Sequence, residues 1–323
     1  MDWRDKTLVV TGGAGFLGST IARLAAARGA RVRIIDAFLP ETGANAANLE
    51  GVAAEIHRLD LRHDPLETAL AGAEAIVHCA AQISHAGSEA DPLGDLGHNA
   101  VGTLRLILAA REAAPDAAVV HASTRQMYGR ARSLPVAEDH PIEPPDANAV
   151  SKWAAEQYWL LEHRLRGRPV VSLRLTNCYG PGLRVKDARQ TFLGIWIRRV
   201  LEGEPFEVWG GEQTRDLAYG EDVAEAFLAA FSAPSGIYNL GGSPPVSLRA
   251  LADLLVAVHG GGRYQVKEMP PERAKIDIGS YVADDSRFRA ATGWAPRVPL
   301  EEGLARTLAW YRDRLPLYLR GQP

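Results

Sequence analysis

The segment Thr7-Leu8-Val9-Val10-Thr11-Gly12-Gly13-Ala14-Gly15-Phe16-Leu17-Gly18 constrains the fold more than any other stretch of the chain. A run of apolar and β-branched residues enters a glycine-rich turn, and an Ala/Leu-rich helical pattern leaves it. A chain that turns sharply from strand to helix needs a residue without Cβ at the turn. A second glycine lets the backbone approach a pyrophosphate, and a third lets the helix pack on the sheet. Gly12, Gly15 and Gly18 stand at those places. The first helical turn, Phe16-Leu17-Gly18, then offers unpaired N–H groups and the positive end of a dipole to phosphates. The second strand, Arg31–Asp36, ends on an acid 18 residues beyond Gly18. A carboxylate there accepts both hydroxyls of an adenosine ribose and repels a 2′-phosphate, which predicts NAD rather than NADP.

The first half of the chain repeats this alternation. Short apolar runs at 55–59, 75–79, 118–122 and 170–175 read as strands, and helical patterns near 65–70, 104–113 and 149–165 separate most of them. Strands alternating with helices predict an α/β fold, a Rossmann-type doubly wound parallel sheet. Beyond Leu175, Pro and Gly become frequent and the strands shorten, while helical patterns persist at 191–201, 222–231, 248–258 and 300–311. We therefore expect an NAD-binding domain over 1–175, with 217–240 returning to it, and a smaller C-terminal α/β substrate lobe over 176–216 and 241–323. The Pro-rich stretch 130–147 reads as a surface loop.

Composition removes several function classes. Lys+Arg is 36 and Asp+Glu is 39, a net charge of −3, so no basic field exists to hold nucleic acid or an anionic membrane. Cys79 and Cys178 are the only cysteines and form no CxxC or Cys/His cluster, so no metal or disulfide framework is expected. No apolar run approaches the ~18 residues that span a bilayer, and the polar start lacks the apolar core of a signal peptide. The expectation is a cytoplasmic protein.

Several segments, in order along nearly the whole chain, resemble the extended short-chain dehydrogenase/reductase family of NAD-dependent nucleotide-sugar epimerases and dehydratases. They are the Gly12/Gly15/Gly18 spacing, Asp60-Leu61, His78-Cys79-Ala80-Ala81-Gln82, Asn99 with Gly102-Thr103, Ser123-Thr124-Arg125-Gln126-Met127-Tyr128-Gly129, Leu173 to Gly182, Arg215-Asp216, Tyr238 to Gly242 and Gly293-Trp294-Ala295-Pro296. The resemblance implies that Asp60 and Leu61 contact adenine and that Ala80, Ala81, Gln82, Asn99 and Ser123 line the cofactor. It also implies a homodimer in which two long helices from each subunit pack together.

In that family a sugar carbon loses a hydride to NAD while its hydroxyl loses a proton to a tyrosine. A lysine four residues later lowers the phenol's pKa and holds the nicotinamide ribose, and a Ser or Thr hydroxyl completes the relay. Lys152 and Thr124 match the lysine and the hydroxyl, but Asn148 stands where the tyrosine belongs. An amide cannot act as a general base. Three readings follow: another group (Tyr128, His85 or a water on Lys152) moves the proton, the substrate needs no strong base, or the protein binds without catalysis. Arg125 and Gln126 occupy positions where family 4,6-dehydratases carry Asp and Glu, which disfavours dehydration and favours epimerisation at C4. The rivals are a 4,6-dehydratase, a 4-dehydrogenase and a non-catalytic NAD or nucleotide-sugar regulator.

On the substrate side the resemblance points to Arg215 as a contact for the diphosphate or ribose, to Asn177 for a phosphate, to Gln190 near the base and to Asp277 near the ribose of the nucleoside. Arg184, Lys186 and Arg189 form a basic cluster suited to phosphate. The tryptophans read as packing.

Overall fold

The computed structural model describes residues 1–187, 191–242 and 244–319. Six strands of the first half, β1 (Thr7–Thr11), β2 (Arg31–Asp36), β3 (Ala54–Arg58), β4 (Ala75–His78), β5 (Ala118–Thr124) and β6 (Val170–Leu175), join the strand Gly236–Leu240 in one sheet. The order is Gly236–Leu240, β6, β5, β4, β1, β2, β3, and every pairing is parallel. β1 and β4 are buried throughout, as befits central strands covered on both faces. One face is covered by α1 (Phe16–Ala27) and the helix Gly220–Ala230, which share a core with Ile21, Val223 and Phe227. The helices Gly102–Ala113 and Ala147–Arg166 cover the other through Leu106, Ile107 and Trp159.

Chain direction across the sheet reverses between β1 and β4. Adjacent connections there leave on opposite faces and open a crevice at the carboxyl ends of the strands. A third core, built on Trp196, Val208, Leu251, Leu308 and Tyr311, holds the helices of the second half together.

The 20-residue helix Ala147–Arg166 carries much of the site. Asp146 caps its start by accepting from Ala149 N (2.8 Å), and Gly167 ends it in the left-handed conformation. Its inner face holds Asn148, Lys152, Glu156 and Trp159, at helical spacing. Glu156 is fully buried and fixes the helix to the sheet, taking Arg174 (2.7 Å) and the Ser123 hydroxyl (2.7 Å).

Two expectations need correction. The stretch 130–147 is not a surface loop alone: Val136 is buried and exchanges backbone hydrogen bonds of 2.8 Å with Val282 and Asp284. The last helix runs on to Leu319, carrying Pro316 inside it. The short helices His85–Ala90 and Pro92–Leu96, with the wide turn Gly97–Val101, lacked enough periodicity to be read from sequence.

Candidate active site

The crevice is built first by glycine. Gly12 has a φ of +68°, and a Cβ there would lie 2.7 Å from the backbone nitrogen of Ala80. A Cβ on Gly18 would lie 2.2 Å from the carbonyl oxygen of Gly12. At Gly15 it would meet only that same oxygen at 3.2 Å, so the side toward the cleft is open. Gly15 is the N-cap of α1, with no side-chain cap and no acid in the first turn. The amides of Phe16, Leu17 and Gly18 therefore face a cleft that all three residues line, a fit for a diphosphate.

Asp36 lines the same cleft. Its carboxylate accepts from Ala14 N (2.9 Å) and Phe38 N (2.8 Å), which ties the end of β2 to the glycine turn. Burial raises its pKa, against those two amides. Asp60 and Leu61 lie beyond, and Arg62 forks onto Asp60 (2.7 Å), holding that carboxyl down at about 2. Ala80, Ala81, Ser123, Thr124 and Lys152 complete the wall; Gln82 and Asn99, expected to line it, do not, and bond to each other instead. Lys152 is buried and donates to Ala122 O (3.3 Å). Burial pulls its pKa down to about 8, against the opposing charge of Asp95 and Glu156.

Asn148 is committed elsewhere. Its Nδ2 donates to Asp95 Oδ1 (2.9 Å) and to Gln82 O (2.9 Å). Asn99 makes the same pair of bonds at 3.1 Å each and accepts from Gln82 N (2.9 Å). Two amides thus clamp one buried carboxylate to the segment that follows β4.

On the same wall His85 Nδ1 lies 2.8 Å from Oδ2 of Asp146, whose side chain is wholly buried while that of His85 is 35% exposed. Burial pushes the Asp146 carboxyl up, but His85, the Ala149 amide and Gln126 together outweigh it and the net shift is downward. Gln126 also donates to Asp146 (3.2 Å), and Thr124 Oγ1 accepts from Gln126 N (3.1 Å). Thr124, Gln126 and His85 all line the cleft. Asp146 escaped the sequence reading, although an Asp directly before a helical run is a cap signal. A capping acid can carry a second partner, and the sequence does not show it.

Tyr128 does not face this cleft. It is fully buried, donates to Asn239 Oδ1 (2.7 Å) and accepts from Arg174 (2.8 Å), so its hydroxyl has no room for a substrate proton. Asn177 lines the cleft with its Oδ1 held by Arg125 (2.7 Å). Arg215 lies outside the cleft lining, paired with Asp277 (3.3 Å) and with the carbonyls of Thr214 and Gly279. Arg184 forks onto Asp187 (2.6 Å), and Lys186 is exposed. Gln190 and Arg189 lie outside the described residues. Cys79 and Cys178 line the cleft as neutral thiols, pushed up to about 12 by burial.

A doubly wound parallel sheet with a glycine turn, an open helix start and an acid closing the second strand defines a dinucleotide-binding α/β protein. Residues 8–241 match the model of the NAD dependent epimerase/dehydratase family, and the chain belongs to that family. A putative UDP-glucose 4-epimerase of Methanocaldococcus jannaschii is 31% identical over 309 residues, 95% of this chain and 98% of that one. A dTDP-glucose 4,6-dehydratase of Streptomyces niveus is 30% identical over 95% of this chain and 93% of its own. The crystal structure of a Thermus thermophilus UDP-glucose 4-epimerase in complex with NAD superposes with a TM-score of 0.83 at 30% identity, covering 95% of this chain and 99% of that one. NAD is the cofactor of the family, and the cleft described above fits it. Among the described residues no helix is long and apolar enough to cross a membrane.

Proposed function

We propose that the protein is an NAD-dependent nucleotide-sugar epimerase that inverts C4 through a transient 4-keto sugar. In this reading His85, held by Asp146, moves the proton that a tyrosine would move. The observation that carries it is the His85–Asp146 pair, 2.8 Å apart, on the cleft wall beside Thr124 and Gln126. The Asp146 carboxylate beside Nδ1 favours the ring form with its proton on that nitrogen, which leaves Nε2 to take the sugar's proton. The Thr124 hydroxyl, with its oxygen already accepting from Gln126 N, is free to donate to the sugar oxygen as charge gathers there. Lys152 supplies positive charge beneath the same spot. NAD, when bound here, would supply the hydride acceptor for the sugar carbon and the donor that returns it to the other face. The glycine turn, Asp36, Asp60 and Leu61 hold its diphosphate and adenosine, and Ser123 and Lys152 hold its nicotinamide end.

Arg125 and Gln126 supply no carboxylate for the proton transfers of a dehydratase, which supports epimerisation over loss of water. For the assembly, we infer a homodimer through the helices Gly102–Ala113 and Ala147–Arg166, which expose Leu108, Val150, Trp153 and Tyr158.

The test is His85→Gln and Asp146→Asn, assayed for C4 inversion by NMR across a panel of nucleotide sugars. We expect a loss of roughly 10²–10⁴-fold in kcat for His85→Gln with NAD affinity retained. Unchanged turnover would remove His85 from the mechanism. Tight NAD and nucleotide-sugar binding by the native protein, with no turnover on any sugar, would establish the binding-only alternative.

A further inference from the structure

Resting on the reading above, we propose that the sugar handled in this cleft carries a carboxylate, and that Arg125 is the residue that selects it. Arg125 lines the cleft immediately after Thr124 yet is only 8% exposed. Its Nη2 donates to Asn177 Oδ1 (2.7 Å), and its guanidinium lies 4.9 Å from the Tyr281 ring centroid. Its Nη1 is buried with no hydrogen-bond partner. Among the described residues no carboxylate comes within ion-pair distance of it. The two nearby acids are spoken for: Asp216 takes Thr176 (2.5 Å) and Ala283 N (3.0 Å), and Asp277 takes Arg215.

A guanidinium cannot shed its proton to escape burial, so a buried arginine without an acid is costly unless a ligand completes it. The neutral amide of Asn177 and the face of Tyr281 orient the fork without discharging it. A planar carboxylate offers two oxygens to that fork. A neutral hydroxymethyl group in its place would leave the buried charge uncompensated. Loss of such a match is what gives a polar site its largest discrimination. The same anion chemistry could come from the nucleotide's own diphosphate, and the experiment separates the two sources.

The probes are matched pairs, UDP-glucose with UDP-glucuronate and UDP-galactose with UDP-galacturonate, with UDP alone as the sugar-free control. The readout is kcat/KM for each sugar and the dissociation constant of each ligand by calorimetry. The native protein should favour the acidic member of each pair by about 10²-fold or more. Arg125→Met should collapse that ratio by a similar factor, and Arg125→Lys, which keeps the charge without the fork, should restore part of it. UDP itself should bind both variants as it binds the native protein. A native ratio near one overturns the proposal. So does an Arg125→Met loss that is equal for both sugars and for UDP, which would assign the arginine to the diphosphate. Should no nucleotide sugar of either kind bind, the proposed function falls and this inference falls with it.

Discussion

The two ends of the cleft are built by different means. At the cofactor end, shape comes from backbone: three glycines, an open helix start and two amides on Asp36. At the end proposed for the sugar, character comes from individual side chains: His85 on Asp146, Asn148 on Asp95, and Arg125 with one nitrogen unpaired. Backbone geometry tolerates almost no substitution, so the dinucleotide pattern survives intact. Side-chain chemistry can be exchanged residue by residue on an unchanged frame. One fold can thereby keep one cofactor while changing its reaction.

The largest effect should come from Gly12→Val. A β-branched side chain is strained at φ +68°, and its Cβ would press into the backbone of Ala80. We expect NAD affinity to fall roughly 10³-fold or more, about 4 kcal/mol, by calorimetry. Retention of native affinity would mean that the turn does not set the approach of the diphosphate.

Lys152→Met should separate stability from function. The unfolded lysine keeps its proton to about 10.5, the folded one only to about 8. The cost of burying the charge is therefore complete below about pH 8 and vanishes as pH rises toward 10.5. Cofactor-free Lys152→Met should be more stable than the native protein near neutrality, by ~3 kcal/mol at most, with the gap closing toward pH 10. Its NAD affinity and turnover should fall together. Urea unfolding at both pH values decides this, and a gap independent of pH would trace the effect to packing instead.

The contrast between the two ends also explains what could be seen in the sequence. The glycine turn, the acid ending β2 and the alternation of strands and helices are local patterns, and each maps to one place in the fold. The carboxylate that holds His85 is 61 residues away in sequence, and the one that holds Asn148 is 53 away. Nothing local marks either pairing. Tyr128 misled for the same reason. Its position beside Thr124 suggested the cleft, but a short helical turn over Arg125–Tyr128 carries its ring into the core, against Arg174 and Asn239. Arg215 and Asp277, far apart in sequence, lie 3.3 Å from each other, a pairing that no local pattern marks.

The smallest expected effect bears most directly on the sugar end. Asn148→Tyr would rebuild the usual Tyr and Lys spacing, and on sequence grounds alone that should raise activity. The structure argues otherwise. Asn148 is 2% exposed, and its Nδ2 is one of two amide donors on Asp95 Oδ1, while Asp95 Oδ2 is buried with no partner. A phenol brings one donor where the amide brought two, and it needs more room. We expect a loss of about 1–3 kcal/mol in stability, the cost of leaving a buried acceptor short of a donor. If His85 carries the proton as proposed, turnover should not rise. A clear gain in kcat from Asn148→Tyr, with His85→Gln then silent in that background, would show instead that the native site is an epimerase waiting for its phenol. The double variant is the decisive one. If His85 and the introduced phenol serve the same proton, their effects cannot add, and the size of the shortfall measures how far the two routes overlap.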